Sequence, residues 1–90
     1  MPSSDDVYSQ LKDCVSEITK IPRGEITLND SLSGDYGYKD GPSRRSFAIS
    51  LERCFKKHGM TIPKKLDRDK MEEAKKLKNV RDIVFTAFGV

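Results

Sequence analysis

Apolar residues recur at helical spacing in three stretches of the chain. Val7, Leu11, Val15 and Ile18 form the first stripe, with Cys14 beside it. This is the one-face pattern of an amphipathic helix. Ser3 followed three residues later by Asp6 reads as a capping-box start, and acids in the first turn suit the positive end of the helix dipole. The helix is therefore predicted to begin near Ser3 or Ser4, with Pro22 and Gly24 ending it. Phe47, Ala48, Leu51, Cys54 and Phe55 form the second stripe. Its helix starts at Gly41-Pro42, because proline is favoured at the first helical position, and stops at Gly59. Val80, Ile83, Val84, Ala87 and Phe88 follow at i, i+3, i+4, i+7 and i+8, with Asn79 predicted as their cap. A short charged helix is predicted over 67–77, with Met71, Ala74 and Leu77 inward and a Glu72–Lys76 pair outside.

The polar positions and breakers gather between the first two helices. Residues 22–41 carry Gly24, Gly34, Gly37 and Gly41, with apolar anchors at Ile26, Leu28 and Leu32. Ile62-Pro63 reads as an extended segment. There is no internal repeat and little of the alternation that marks a strand. The fold class that follows is all-α: a single domain over 1–90, a four-helix bundle with a long first loop and a short third helix.

Charge changes this picture more than composition does. The chain is 34% charged and 36% hydrophobic, which suits a small domain with a large wet surface. The net charge of +3 is unevenly spread. Residues 1–30 hold six acids and three bases, whereas 39–65 hold eight bases against Asp40 and Glu52. The central stretch suits an acidic partner. No apolar run approaches the ~18 residues that span a bilayer, and the acidic N-terminus does not read as a secretory signal. A cytoplasmic monomer is the expectation.

Candidate chemistry is sparse. Cys14 and Cys54 sit on apolar stripes and are expected to be buried, reduced thiols, since disulfides are rare in the cytosol. One histidine, His58, and no Cys-x-x-Cys pair speak against a zinc site, so no metal is expected. His58 beside Gly59 reads as a helix C-terminal residue rather than a general base. Asp35 and Asp40 read as turn and cap residues, and Tyr36 and Tyr38 as packing residues. No catalytic activity is expected of the chain.

Four segments in order resemble the acyl and peptidyl carrier proteins: Ile21-Pro22-Arg23-Gly24-Glu25-Ile26-Thr27-Leu28-Asn29-Asp30-Ser31-Leu32, Asp35-Tyr36-Gly37-Tyr38, Met60-Thr61-Ile62-Pro63 and Leu77-Lys78-Asn79-Val80. The likeness runs from about Val7 to Phe88. It implies the carrier type of four-helix bundle. It also implies a 4′-phosphopantetheine arm on a serine opening the second helix, where N–H groups and dipole suit a phosphodiester. Counting from the three flanking landmarks puts Asp40, Gly41 or Arg44 in that serine slot. The nearest hydroxyls are Ser43 and Ser46. The second helix of carriers is an acidic recognition surface. Here it bears Arg44, Arg45, Arg53, Lys56 and Lys57 against Glu52 alone.

Three functions remain open. The leading one is a carrier-like binding module without the prosthetic group, which meets an acidic protein partner through Arg44, Arg45, Arg53, Lys56 and Lys57 and serves a fatty-acid or secondary-metabolite pathway. The second is a divergent carrier modified with 4′-phosphopantetheine at Ser43. The third is a small basic helical domain that binds nucleic acid, which lacks a helix-turn-helix signature or an aromatic-interleaved basic patch.

Overall fold

The computed structural model describes residues 2–90. Among them there are four helices and no strand: α1 Ser4–Thr19, α2 Gly41–Lys57, α3 Arg68–Glu73 and α4 Leu77–Phe88, with a single 3-10 turn at Arg23–Glu25. The all-helical expectation holds.

Helix α1 begins where its sequence signal lies. Ser3 Oγ accepts from Asp6 N at 3.2 Å, and the Asp6 carboxylate accepts from Ser3 N at 3.3 Å. This reciprocal pair satisfies two N–H groups that a helix start leaves without partners. The helix ends before Pro22, at Lys20, which adopts a left-handed backbone (φ 66°) and donates its N–H to Ser16 O at 2.8 Å. Glycine is the usual residue there, because a Cβ is crowded in this conformation.

The stripes meet in one core. Leu11, Val15, Leu51, Phe55, Val80, Ile83 and Val84 are all buried, while Ile18 is half-buried against them. Phe55 and Phe88 rings lie 5.7 Å apart and join α2 to α4. Among the described residues no polar or charged side chain is buried. Apolar surface removed from water therefore supplies the main cohesion.

The long first loop is ordered by backbone pairing rather than by a helix of its own. Leu77 N donates to Asp30 O at 3.0 Å and Lys78 N to Leu28 O at 3.0 Å, while Leu32 N donates to Lys75 O at 2.9 Å. The first two of these N–H groups open α4, so the loop fills part of the gap left at that helix start. Ile26 and Leu32 are the buried anchors, and Leu28 is half-exposed.

Four local expectations are corrected. The third helix covers only Arg68–Glu73, and Leu77 opens α4 instead of closing α3. The cause is the loop: the pairing of Leu32 with Lys75 holds the chain extended between the two helices. Asn79 lies inside α4 and caps it by accepting from Lys75 N at 3.3 Å and Lys76 N at 3.0 Å. Glu72 turns to Arg45 rather than to Lys76. Finally, Cys14 and Cys54 are buried but not reduced; they form a disulfide between α1 and α2, with Cα atoms 5.8 Å apart. Each cysteine faces the partner helix from its own apolar stripe, a relation between helices that neither stripe reveals alone.

Candidate functional site

The N-terminus of α2 is closed by its own side chains. Asp40 is the N-cap, and its carboxylate accepts from Ser43 N at 2.9 Å. Ser43 Oγ accepts from Asp40 N at 3.3 Å and donates to Asp40 O at 2.9 Å. The hydrogen bond from the Ser43 backbone, then that from its hydroxyl, hold the Asp40 carboxyl below the usual carboxylate range. Gly41 follows at the first helical position. A Cβ there would come within 3.1 Å of Glu72 Oε1, so a side chain at this position would push the Glu72 carboxylate aside. Of the sequence candidates for the carrier slot, Asp40 is the cap, Gly41 is packed against Glu72, and Ser43 is held in the capping box. Ser46 is exposed one turn into the helix.

The five basic residues of α2 divide into two groups. Arg44 donates to Tyr38 O at 3.1 Å and to Glu72 O at 2.7 Å. Arg45 reaches Glu72 Oε1 at 2.5 Å and Asp69 Oδ1 at 3.1 Å. Arg44 therefore ties α2 to the loop and to α3, and Arg45 ties it to α3. Lys57 pairs with Glu17 of α1. Arg53 and Lys56 are exposed and make no ion pair or side-chain hydrogen bond among the described residues. Lys56 edges a shallow groove of about 270 Å³ together with Lys64 and Lys65, floored by Ile62 and Pro63. A second groove of about 210 Å³ shares Lys64 and Lys65 and adds Lys70, but Asp67 and Asp82 also line it. The first groove is also lined by an acid, Glu52, which is compensated from within. Arg68 holds both its oxygens at 2.8 and 3.0 Å, and Leu66 N donates to it at 2.8 Å. The unpaired positive surface thus runs from the second half of α2 into the segment after it. Lys64 and Lys65 belong to it. Their signal was present in the charge count over 39–65, but a helix-face argument could not place residues beyond the helix end.

A second cluster lies where α1 crosses the end of α2. The disulfide of Cys14 and Cys54 sits beside Glu17, whose Oε2 lies 3.3 Å from Cys54 Sγ. His58 Nε2 is 2.9 Å from the same carboxylate oxygen, and Lys57 Nζ contacts the other. Hydrogen bonds from Lys57 and then His58 pull the Glu17 carboxyl down to about 2. Gln10 Nε2 donates to Cys14 Sγ at 3.4 Å. His58 is the C-cap of α2 and engages Glu17 in addition to closing the helix. Glu17 was not singled out from the sequence. Its signal is the spacing: Cys14 and Glu17 are three apart on α1, and Cys54 and His58 four apart on α2, so each pair shares one face.

The two loop tyrosines pack. Tyr38 stacks on Phe47 with ring centroids 4.5 Å apart, and Tyr36 meets the same ring edge-on at 6.4 Å. The Tyr36 hydroxyl donates to Asp30 Oδ2 at 2.8 Å, and Asp35 accepts from Ser31 N at 2.7 Å. Asp35 is a turn residue and Asp40 a cap. No helix is long and apolar enough to cross a membrane among the described residues.

The chain matches no protein-family model, no curated protein and no solved structure.

Proposed function

We propose that this chain is a carrier-like helical binding module without a phosphopantetheine arm, which meets an acidic protein partner through a basic face. The observation that carries this reading is the set of exposed cations without an internal ion pair: Lys56, Lys64 and Lys65 around a shallow groove, and Arg53 one turn before Lys56 on α2. Charges held in internal pairs are already compensated, whereas free ones are attracted to an opposing acid and steer its approach. Arg44, Arg45 and Lys57 are engaged internally, so the docking surface we propose is centred on Arg53 and Lys56 and extends to the lysines beyond α2. Support for an arm-free module comes from the start of α2, where a carboxylate caps the helix and the Ser43 hydroxyl is held in that cap. The module works in the cytoplasm as a binding partner rather than a catalyst.

The test uses a fluorescent glutamate-rich peptide as the acidic probe and duplex DNA of similar charge as competitor. The peptide should bind, its association should slow as salt shortens the Debye length from about 10 Å at 0.1 M, and Lys56→Glu with Lys65→Glu should abolish binding. The charge-matched control Lys12→Glu with Lys78→Glu, outside both grooves, should leave it intact. Equal binding by the double variant would remove the face from consideration, and preference for DNA would replace the protein partner with nucleic acid. Incubation with coenzyme A and a broad-specificity phosphopantetheinyl transferase should leave the intact mass unchanged. An adduct that disappears in Ser43→Ala would make the chain a modified carrier instead.

A further inference from the structure

We propose that the joint between α1 and α2 is a redox-gated metal site, in which Cys14, Glu17, Cys54 and His58 bind a zinc-class divalent cation once the disulfide is reduced. The four residues come as two helical pairs, three apart on α1 and four apart on α2. The disulfide places the sulfurs of Cys14 and Cys54 together, and the donor atoms of Glu17, Cys54 and His58 all lie within 4.8 Å of one another. Two thiolates, an imidazole nitrogen and a carboxylate oxygen are the donor types that zinc takes in tetrahedral sites. Metal–sulfur bonds of ~2.3 Å require the two sulfurs to stand about 3.8 Å apart. Side-chain rotation at two cysteines whose Cα atoms are 5.8 Å apart can open that separation.

The surroundings suit the reduced, metal-bound state. Two thiolates and the Glu17 carboxylate carry one negative charge more than a divalent cation neutralises. The Lys57 ammonium, already on Glu17, supplies the balance. Gln10 Nε2 points its N–H at Cys14 Sγ, an outer contact of the kind that orients and stabilises a ligand thiolate. His58 is 40% exposed and Glu17 37% exposed at their side chains, so an ion can enter from solvent. In the oxidised state the sulfurs are bonded to each other and neither is a thiolate, which removes half of the donor set.

The gating step balances with a dithiol as reductant. A reductant thiolate attacks Sγ of Cys54, the less deeply buried of the two residues, and the bond to Cys14 Sγ breaks, with its electron pair leaving on Cys14. The second thiol of the reductant displaces Cys54 and closes the reductant's own disulfide. Two cysteine thiols result, and binding of the cation releases their two protons. A cytosolic setting, where thiols are kept reduced, would favour this form.

The experiment is a titration of the full chain with Zn²⁺ and, as a spectroscopic probe, Co²⁺. The protein is prepared oxidised, or reduced with a dithiol that is then removed by anaerobic gel filtration. The reduced chain should bind one Zn²⁺ per molecule with release of two protons, and the Co²⁺ form should show a thiolate charge-transfer band. The oxidised chain should bind at least about 100-fold more weakly. Glu17→Gln and His58→Ala should each weaken binding by roughly tenfold or more, and Gln10→Ala by a comparable factor. Glu17 and His58 lie partly exposed, and circular dichroism showing unchanged helix content would separate ligand loss from unfolding. Equal binding by the oxidised and reduced chains, a Co²⁺ complex without the thiolate band, two chains per metal, or full affinity in folded Glu17→Gln and His58→Ala would each overturn the proposal.

Discussion

Tyr36 carries two roles that can be separated by one substitution. Its ring meets Phe47 edge-on, and its hydroxyl donates to Asp30 Oδ2 at 2.8 Å. Burial, and then the hydrogen bond and charge of Asp30, raise the phenol above its ordinary range. For Asp30, burial acts first and upward, but hydrogen bonds from Thr27 N, the Tyr36 hydroxyl and the Thr27 hydroxyl outweigh it, and the net direction is down. The two limbs of stability then have opposite signs. A phenol raised on folding contributes fully below its unfolded value of about 10 and ceases to contribute as pH rises through the folded value. A carboxyl lowered on folding contributes above its unfolded value of about 3.9 and loses that contribution as pH falls through the folded value. Tyr36→Phe keeps the ring and removes the hydroxyl. It should cost about 1 kcal/mol at neutral pH, and the difference from the parent should shrink as pH rises beyond about 10. Urea unfolding across that pH range measures it. A constant difference would show that the hydroxyl does not couple to folding.

At the scale of the helix, α2 has two faces of the same charge with different physical roles. Arg45 joins α2 to Asp69 and Glu72 of α3, whereas Arg53 touches no acid among the described residues. Reversing Arg45 to Glu would place three acids together across a contact that Gly41 already makes close. It should destabilise the fold by about 1–2 kcal/mol, above the range of a simple exposed pair because repulsion is added to the lost attraction. Arg53→Glu should stay within about 0.5 kcal/mol, as expected of a surface change away from any partner. Thermal melts of the two single variants decide this. Equal losses would mean that the pairing of Arg45 to α3 adds nothing in solution. Joint reversal of Arg45 and Arg53 would accordingly mix a folding effect into any binding measurement, and the pair Lys56 and Lys65 avoids it.

For the whole molecule, the disulfide adds a covalent constraint within the core. It closes a loop between residues 40 positions apart. Chain-entropy reasoning assigns such a closure about 4 kcal/mol, of which native domains realise roughly 2–4. A domain of this size has little stability to spare. Reduction should therefore lower the unfolding midpoint in urea clearly, while the helices persist at low denaturant because their core does not depend on sulfur. If zinc enters the reduced joint, added Zn²⁺ should restore part of the midpoint, since a ligand that binds only the folded chain stabilises it. Reduction without any shift in midpoint would show that α1 and α2 hold together by packing alone.

How far the amino-acid pattern reaches can be read from particular residues. Signals carried within one helix turn were legible. Ser3 and Asp6 are three apart and make the capping box of α1; Gly41-Pro42 opens α2; Val80, Ile83 and Val84 face the core. Such signals depend on the fixed geometry of a helix, which spacing alone conveys. The length of α3, the inward shift of the Asn79 cap and the partner of Glu72 were not legible, because each depends on a loop strand or a second helix laid against the first. The same holds for function. Composition along the chain located a basic stretch, but only packing separated Arg44, Arg45 and Lys57, which are compensated internally, from Arg53, Lys56, Lys64 and Lys65, which are not. Glu17, Cys54 and His58, with Cys14 bonded to Cys54, come together only when α1 crosses α2, since contact between residues 40 positions apart is a property of tertiary packing rather than of local pattern.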